Sequence, residues 1–117
     1  MRIGYARADL SEQTLHFQLA RLEGARCEHI VVERASTYDA SPTELLRVLT
    51  HVLYRGDTLV VCQLDRLAGS PRQLLKTLDH MNERGILLES LGTQGEEHAF
   101  KQSIRATFEE NGSVKYH

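Results

Sequence analysis

Along most of the chain, segments with two different patterns of apolar and polar residues follow each other in turn. Short apolar runs have the length of β-strands, whereas longer runs repeat leucine every three or four residues, as one face of a helix does. The predicted strands are RIGYA at 2–6, HIVVE at 29–33, DTLVVCQL at 57–64 and ILLESLG at 86–92. The predicted helices between them occupy 11–24, 41–56 and 70–85.

Two of the predicted helices begin with the same start signal. In each, a serine takes the N-cap position, a proline opens the first turn, and a Glu or Gln closes a capping box. These residues are Ser41, Pro42 and Glu44 in one helix and Ser70, Pro71 and Gln73 in the other. The three helices are predicted to end at Gly24, Gly56 and Gly85.

Strands that alternate with helices of this length predict an α/β fold, in which helices cover a largely parallel central sheet through right-handed crossovers. The segment 57–64 is the most apolar strand, so we expect it in the middle of the sheet, covered on both faces. We expect one domain over 1–94, with a helix and a short tail over 95–117.

The last part of the chain has a different pattern. A predicted helix over 96–111 carries Phe100, Ile104 and Phe108 four residues apart, as a narrow apolar stripe on a charged surface. The stripe packs either on the chain's own sheet or against a second subunit. Only SVKYH follows Gly112, so no DNA-recognition helix is expected after it.

Composition narrows the classes of protein. With 117 residues, 41% hydrophobic and 26% charged, the chain matches a soluble domain that needs neither disulfide nor metal to fold. We expect Cys27 and Cys62 to be reduced and buried, the six histidines to bind no metal, and no cofactor. No signal peptide or membrane span is apparent, which predicts the cytoplasm. A net charge of −2 argues against a self-sufficient DNA-binding protein.

Candidate chemistry lies where the predicted strands end. Parallel strands bring their carboxyl ends to one edge, where helix N-termini also converge. Arg7 follows the first strand, Glu33 and Arg34 the second, and Asp65 and Arg66 the third. Guanidinium groups at such an edge suit an anion or a phosphate. The alternative is that these arginines and acids form ion pairs that only tie loops together.

Five segments, RIGYAR, EQTLHFQLARL, ERAS, GDTLVVCQLDRL and ERGILLESL, occur in this order across residues 2–91. Together they resemble the catalytic domain of the serine recombinases, the resolvase/invertase family. The resemblance implies a resolvase-like three-layer fold with a C-terminal helix. It also implies metal-free DNA cleavage, in which a serine attacks the phosphodiester and an arginine cluster stabilises charge in the transition state.

Several positions match the family's motifs. The resemblance implies that Arg7 is the arginine of the Y-x-R-x-S motif and that Asp65 and Arg66 are the Asp-Arg of L-D-R-L-x-R. Arg7 and Arg66, with the first-helix glutamines Gln13 and Gln18, would then bind substrate. Glu33 stands where the family usually has an acidic residue.

Three positions depart from the family. Asp9 stands where the nucleophilic serine is expected, and it has capping-box spacing with Glu12. Gly69 and Ser41 stand where arginines are expected, and the helix after Ser41 is about two residues longer than in the family. The sequence therefore predicts an inactive domain that serves as an oligomerising or regulatory module. Its expected partner is a second copy or an active recombinase, bound through 96–111, with weak or partner-dependent DNA binding.

Two alternatives stay open at this point. A divergent recombinase would use Ser11 as its nucleophile, with Arg72 in partial compensation for the missing arginines. A small phosphate or nucleotide binder would use Arg7, Arg66 and the helix N-termini.

Overall fold

The computed structural model describes residues 1–8, 12–34, 43–67 and 70–92. Its elements alternate in the predicted order. The strands are β1 (Arg2–Ala8), β2 (His29–Arg34), β3 (Thr58–Val61) and β4 (Leu87–Ser90). The helices are α1 (Glu12–Gly24), α2 (Thr43–Arg47) and α3 (Pro71–Arg84), with a π-helix at Val48–Val52 and a 3-10 helix at Leu64–Arg66.

The four described strands form one parallel sheet in the order β2-β1-β3-β4. The chain therefore crosses from β1 to one side to form β2 and then returns past β1 to form β3. This reversal creates a topological switch point between β1 and β3, where α/β sheets commonly bind ligands. The prediction of a parallel α/β sheet with its most apolar strand inside is confirmed.

Alternate residues of β1 face the two sides of the sheet. Ile3 and Tyr5 belong to a core shared with α2, the π-helix and α3. Ala6 and Ala8 belong to a second core, which contains Leu15 and Leu22 of α1. The sheet is thus covered on both faces, as the apolar third strand predicts, and the fold has the three layers that the resemblance implies.

Gly4 allows α1 and the chain after it to approach the sheet closely. A Cβ atom at this position would lie 3.1 Å from Sγ of Cys27 and 3.3 Å from side-chain carbons of Ile30 and Leu22. The glycine therefore supplies the space that these three side chains occupy.

The second predicted helix differs from its expected form. Instead of one α-helix over 41–56, α2 contains only five residues and continues as a π-helix of five residues. The N–H of Leu53 donates to the carbonyl of Val48 at 2.9 Å, five residues back. Leucine spacing cannot distinguish these forms, because both place Leu45, Val48 and Leu49 on the core face.

The ends of α3 agree with the sequence signals. The Ser70 hydroxyl accepts a hydrogen bond from the N–H of Gln73 at 3.2 Å, and Pro71 opens the helix. Gly85 ends it in the left-handed region, at φ 72°. The cap predicted at Ser41 and Pro42 lies outside the described residues, as does everything from 93 to 117, including the predicted C-terminal helix.

Of the two cysteines, Cys62 is buried, as predicted, whereas the prediction of burial is wrong for Cys27, which is half-buried. No helix in the described part of the chain is long and apolar enough to cross a membrane.

Candidate functional site

The carboxyl ends of β1 and β3 separate at the switch point. The two strands pair as far as Tyr5 opposite Val61. β1 then continues alongside β2 to Ala8, whereas the chain after β3 turns into the 3-10 helix. The last residues of β1 therefore extend past the end of β3.

A glutamine from α1 occupies this position. Oε1 of Gln18 accepts a hydrogen bond from the main-chain N–H of Arg7 at 3.1 Å, and its Nε2 donates to the carbonyl of Arg7 at 3.0 Å. Gln18 is 1% exposed, and its main-chain carbonyl accepts a hydrogen bond from the Cys62 thiol at 3.4 Å. A side-chain amide thus replaces a neighbouring strand as hydrogen-bonding partner of Arg7.

Arg7 lies inside the domain. Its side chain follows Tyr5 on the face covered by α2 and α3, and the residue is only 4% exposed. Its register partner in β2 is Glu33, which is 3% exposed. Two residues of opposite charge are therefore buried side by side on adjacent strands.

The carboxylate of Glu33 accepts hydrogen bonds from four groups. Oε1 accepts from the Tyr5 hydroxyl at 3.2 Å and from the N–H of Leu45 at 3.0 Å. Oε2 accepts from the N–H of Glu44 at 3.2 Å and from the Thr43 hydroxyl at 3.5 Å. Glu33 therefore links β1, β2 and the start of α2, and it satisfies N–H groups that have no partner inside the helix.

The environment of Tyr5 reflects both charges. Burial raises the pKa of its hydroxyl far above the ordinary value, and the negative charge of Glu33 raises it further. The positive charge of Arg7 acts in the opposite direction on this pKa. Tyr5 therefore stays neutral at physiological pH and serves as a hydrogen-bond donor.

Arg66 approaches the switch point from the other strand. It ends the 3-10 helix after β3 and is half-buried. Burial raises the pKa of the Cys62 thiol, whereas the positive charges of Arg21 and then Arg66 lower it. Arg66 thus lies close enough to influence the end of β3, and the Cys62 thiol stays protonated.

The predicted site residues are only partly brought together. Arg7, Gln18 and Glu33 lie at one end of β1, with Arg66 near the end of β3. Arg34 ends β2 as an exposed residue, and Arg72 is exposed on α3. The backbones of Gln13 and Asp65 lie in α1 and the 3-10 helix, respectively. Four further positions lie outside the described residues, namely Asp9, Ser11, Ser41 and Gly69.

Sequence reasoning missed the role of Glu33 as a helix cap. The start of α2 was expected to be capped by local residues, with Glu44 closing a capping box. The N–H of Glu44 donates to Glu33, and the Glu44 carboxylate pairs with Arg47 at 2.9 Å, whereas the predicted cap Ser41 lies outside the described residues. No local pattern identifies a cap that lies eleven residues upstream. In the described part of the chain, no group of His, Cys, Asp and Glu could hold a metal ion.

Solved structures of other proteins share this fold. Over 99% of this chain and 100% of the other, the structure is similar to the N-terminal catalytic domain of TP901-1 integrase, with a TM-score of 0.66 and 18% identity. It also matches the C-terminal catalytic domain of ISC1926 TnpA, an IS607-like serine recombinase, with a TM-score of 0.66 over 93% of this chain and 79% of that one. The domain therefore has the fold of serine recombinase catalytic domains.

Sequence comparison identifies the family. The model of the resolvase N-terminal domain matches residues 2–111. The chain is 44% identical over 91 residues to a DNA-invertase of Escherichia phage P1, covering 78% of this chain and 48% of the relative. It is 38% identical over 89 residues to DNA-invertase hin of Salmonella typhimurium, covering 76% and 46%. The chain belongs to the resolvase N-terminal domain family and spans about half the length of these curated relatives.

Proposed function

We propose that this serine-recombinase domain no longer cleaves DNA and instead acts as an oligomerising or regulatory module. The observation that carries the proposal is Asp9 at the position of the family's nucleophilic serine, two residues after Arg7. A carboxylate there repels a phosphodiester. At about 4 Å, two negative charges cost about 1 kcal/mol in water and several times more in a shielded pocket.

The chain also lacks two of the arginines that the family carries in its active site. Gly69 and Ser41 stand at two positions where the family has arginines. Removal of one transition-state donor lowers a rate by roughly a hundredfold or more, so two losses leave little activity even with a serine at position 9. Arg72, the candidate for partial compensation of the missing arginines, is exposed on α3.

The retained framework supports an interaction role. The central sheet, its two cores and the hydrogen-bonded end of β1 are intact without the nucleophile. We propose that the partner is a second copy or an active recombinase, contacted through the 96–111 segment with its stripe of Phe100, Ile104 and Phe108. DNA binding by this chain is then weak or dependent on the partner.

Covalent protein–DNA adducts test the loss of cleavage. Residues 2–91 replace the matching segment of an active DNA-invertase, which supplies DNA binding, and adducts are measured in denatured reactions. The chimera, its Asp9→Ala variant and its Ser11→Ala variant are expected to form none. The triple variant D9S/S41R/G69R is expected to restore adducts, because it returns the nucleophile and both arginines. Adducts that survive Asp9→Ala and vanish with Ser11→Ala would show an active enzyme with a displaced nucleophile.

A DNA-inversion assay with this chain added to an active DNA-invertase tests the regulatory role. Added to an active DNA-invertase, the chain is expected to lower the inversion rate, and the double variant Phe100→Asp, Phe108→Asp is expected to lose this effect. A chain that stays monomeric at micromolar concentrations and leaves inversion unchanged would contradict the interaction role.

The phosphate-binding alternative has less support. Arg7 presents almost no surface to a ligand at 4% exposure, although Arg66 is more accessible. A binder would gain thermal stability from inorganic phosphate and lose that gain in an Arg66→Ala variant.

A further inference from the structure

The chain leaves the sheet beside α1. Leu91 follows directly after β4, and its N–H donates to the carbonyl of Val61 at 2.9 Å, which extends the pairing with β3 by one residue. The side chain of Leu91 packs against the core that contains Leu22 of α1. Residues 91–92 are called the exit point below, because the chain continues from them toward the 96–111 segment.

Arg21 of α1 binds the exit point. Its Nη2 donates a hydrogen bond to the main-chain carbonyl of Leu91, which lies seventy residues later in the chain. The guanidinium also lies over the ring of Phe17, one turn earlier in α1, with 5.8 Å between Cζ and the ring centroid. Burial raises the pKa of the Cys62 thiol, and among the charges that oppose this effect Arg21 acts most strongly. Its side chain therefore extends over the carboxyl edge of the sheet.

Both contacts of Arg21 have a clear physical basis. The carbonyl of Leu91 lies past the last residue of β4 and needs a hydrogen-bond donor there. A charged donor forms a stronger hydrogen bond than a neutral one, and the face of an aromatic ring attracts a guanidinium. Arg21 is half-buried, and Phe17 is 62% exposed. Replacement of Arg21 therefore removes a tie between α1 and the exit point and leaves no buried charge behind.

The exit point limits where the next segment can begin. Three residues, 93–95, separate it from the 96–111 segment. The chain from residue 92 to residue 96 spans at most about 14 Å, whatever its conformation. The position of residues 91–92 therefore restricts the part of the domain surface from which the 96–111 segment starts.

We propose that Arg21 is a positioning residue for the C-terminal segment. It holds the exit point against α1 and thereby sets the direction in which residues 96–111 meet their partner. This inference rests on the proposed function, because that function assigns the partner contact to the 96–111 segment. A chain without the Arg21 side chain keeps its fold and binds the partner less well.

Hydrogen exchange tests the anchoring of the exit point without a partner. In Arg21→Met, the N–H of Leu91 is expected to exchange severalfold faster, whereas the N–H of Leu59, buried in β3 between β1 and β4, keeps its rate. Arg26→Met is the matched control, since it makes the same change at an exposed position just after α1. Phe17→Ala is expected to give a smaller acceleration, and it decides the question if Arg21→Met fails to fold.

DNA inversion tests the consequence for the partner. Arg21→Met is expected to need a severalfold higher concentration than the wild-type chain to halve the inversion rate of an active DNA-invertase. Arg21→Lys should lie between the two, because lysine keeps the positive charge and a hydrogen-bond donor. Arg26→Met should match the wild-type chain.

Two results would overturn the proposal. An unchanged exchange rate of Leu91 in Arg21→Met and Phe17→Ala would show that Arg21 does not hold the exit point. Faster exchange with an unchanged inhibition curve would show that the exit point does not orient the partner contact. If the wild-type chain itself leaves inversion unchanged, the proposed function fails and the orienting role fails with it, whereas the exchange rates still decide whether Arg21 anchors the exit point.

Discussion

Gln18 binds the main chain of Arg7 through both ends of its side-chain amide, at 3.1 and 3.0 Å. The resemblance to the serine recombinases implies that Gln18 binds substrate. The structure gives it a contact with the end of β1, beyond the last residue of β1 that pairs with β3. This contact supplies an internal reason for a glutamine at this position.

Replacement of Gln18 by methionine is expected to destabilise the domain. The change keeps the size of the side chain but leaves the N–H and carbonyl of Arg7 without the amide. Each buried polar group without a partner costs about 1–3 kcal/mol, and the effect is measurable by urea denaturation. Lys76→Met, at an exposed position on α3, is the control and should be nearly neutral. An equal loss in both variants would contradict this role for Gln18.

Gly4→Ala is expected to lower stability by about 1–3 kcal/mol through overpacking, because the new methyl group lies 3.1 Å from Sγ of Cys27. The double variant with Cys27→Ala should recover part of this loss in thermal unfolding. Gly24→Ala is the control, since a Cβ there meets nothing within 4 Å. If Cys27→Ala gave no recovery, the close approach would not be the cause.

Unfolding at alkaline pH should report the burial of the Tyr5 hydroxyl. Because the pKa of Tyr5 is raised in the folded protein, its contribution to stability is complete below the ordinary tyrosine value of 10.0. Above that pH the hydroxyl ionises more readily in the unfolded chain, so stability falls as the pH rises. Urea midpoints measured across this range should decline less steeply in Tyr5→Phe. A slope that stays unchanged in Tyr5→Phe would refute the assignment.

Alanine substitutions at two glycines should show the cost of left-handed backbone. Gly56 and Gly85 have φ values of 92° and 72°. Each alanine variant is expected to lose about 1–2 kcal/mol in urea denaturation. A Cβ on Gly85 would also lie 2.6 Å from Nη1 of Arg55, whereas one on Gly56 meets nothing within 4 Å. Arg55→Ala should therefore relieve part of the loss at Gly85 and none at Gly56. Relief at both positions would contradict this explanation.

Local chemistry made several features predictable. The serine and proline at the start of α3 and the glycine at its end act within a few residues of the structure they determine. The most apolar segment became the inner strand β3 for a similarly direct reason, since such a strand must be covered on both faces. The candidate residues at the strand ends were found because parallel strands place those ends at one edge.

Contacts between distant segments were not predictable in this way. Glu33 caps α2, and Gln18 binds the main chain of Arg7. Each contact joins residues eleven positions apart, and it forms only because a helix packs against the sheet. The π-helix at Val48–Val52 escaped prediction because its apolar spacing also fits an α-helix. The burial of Arg7 likewise depends on the elements that cover the sheet.

The sequence by itself determined the alternation of strands and helices, the family and the substitution at Asp9, since periodicity, motifs and residue identity are properties of the chain. Only the tertiary structure decided that Arg7 lies buried opposite Glu33 and that Gln18 completes the end of β1. The physical reason is that burial and hydrogen bonding depend on atoms from separate segments, which folding alone brings within a few ångströms of one another.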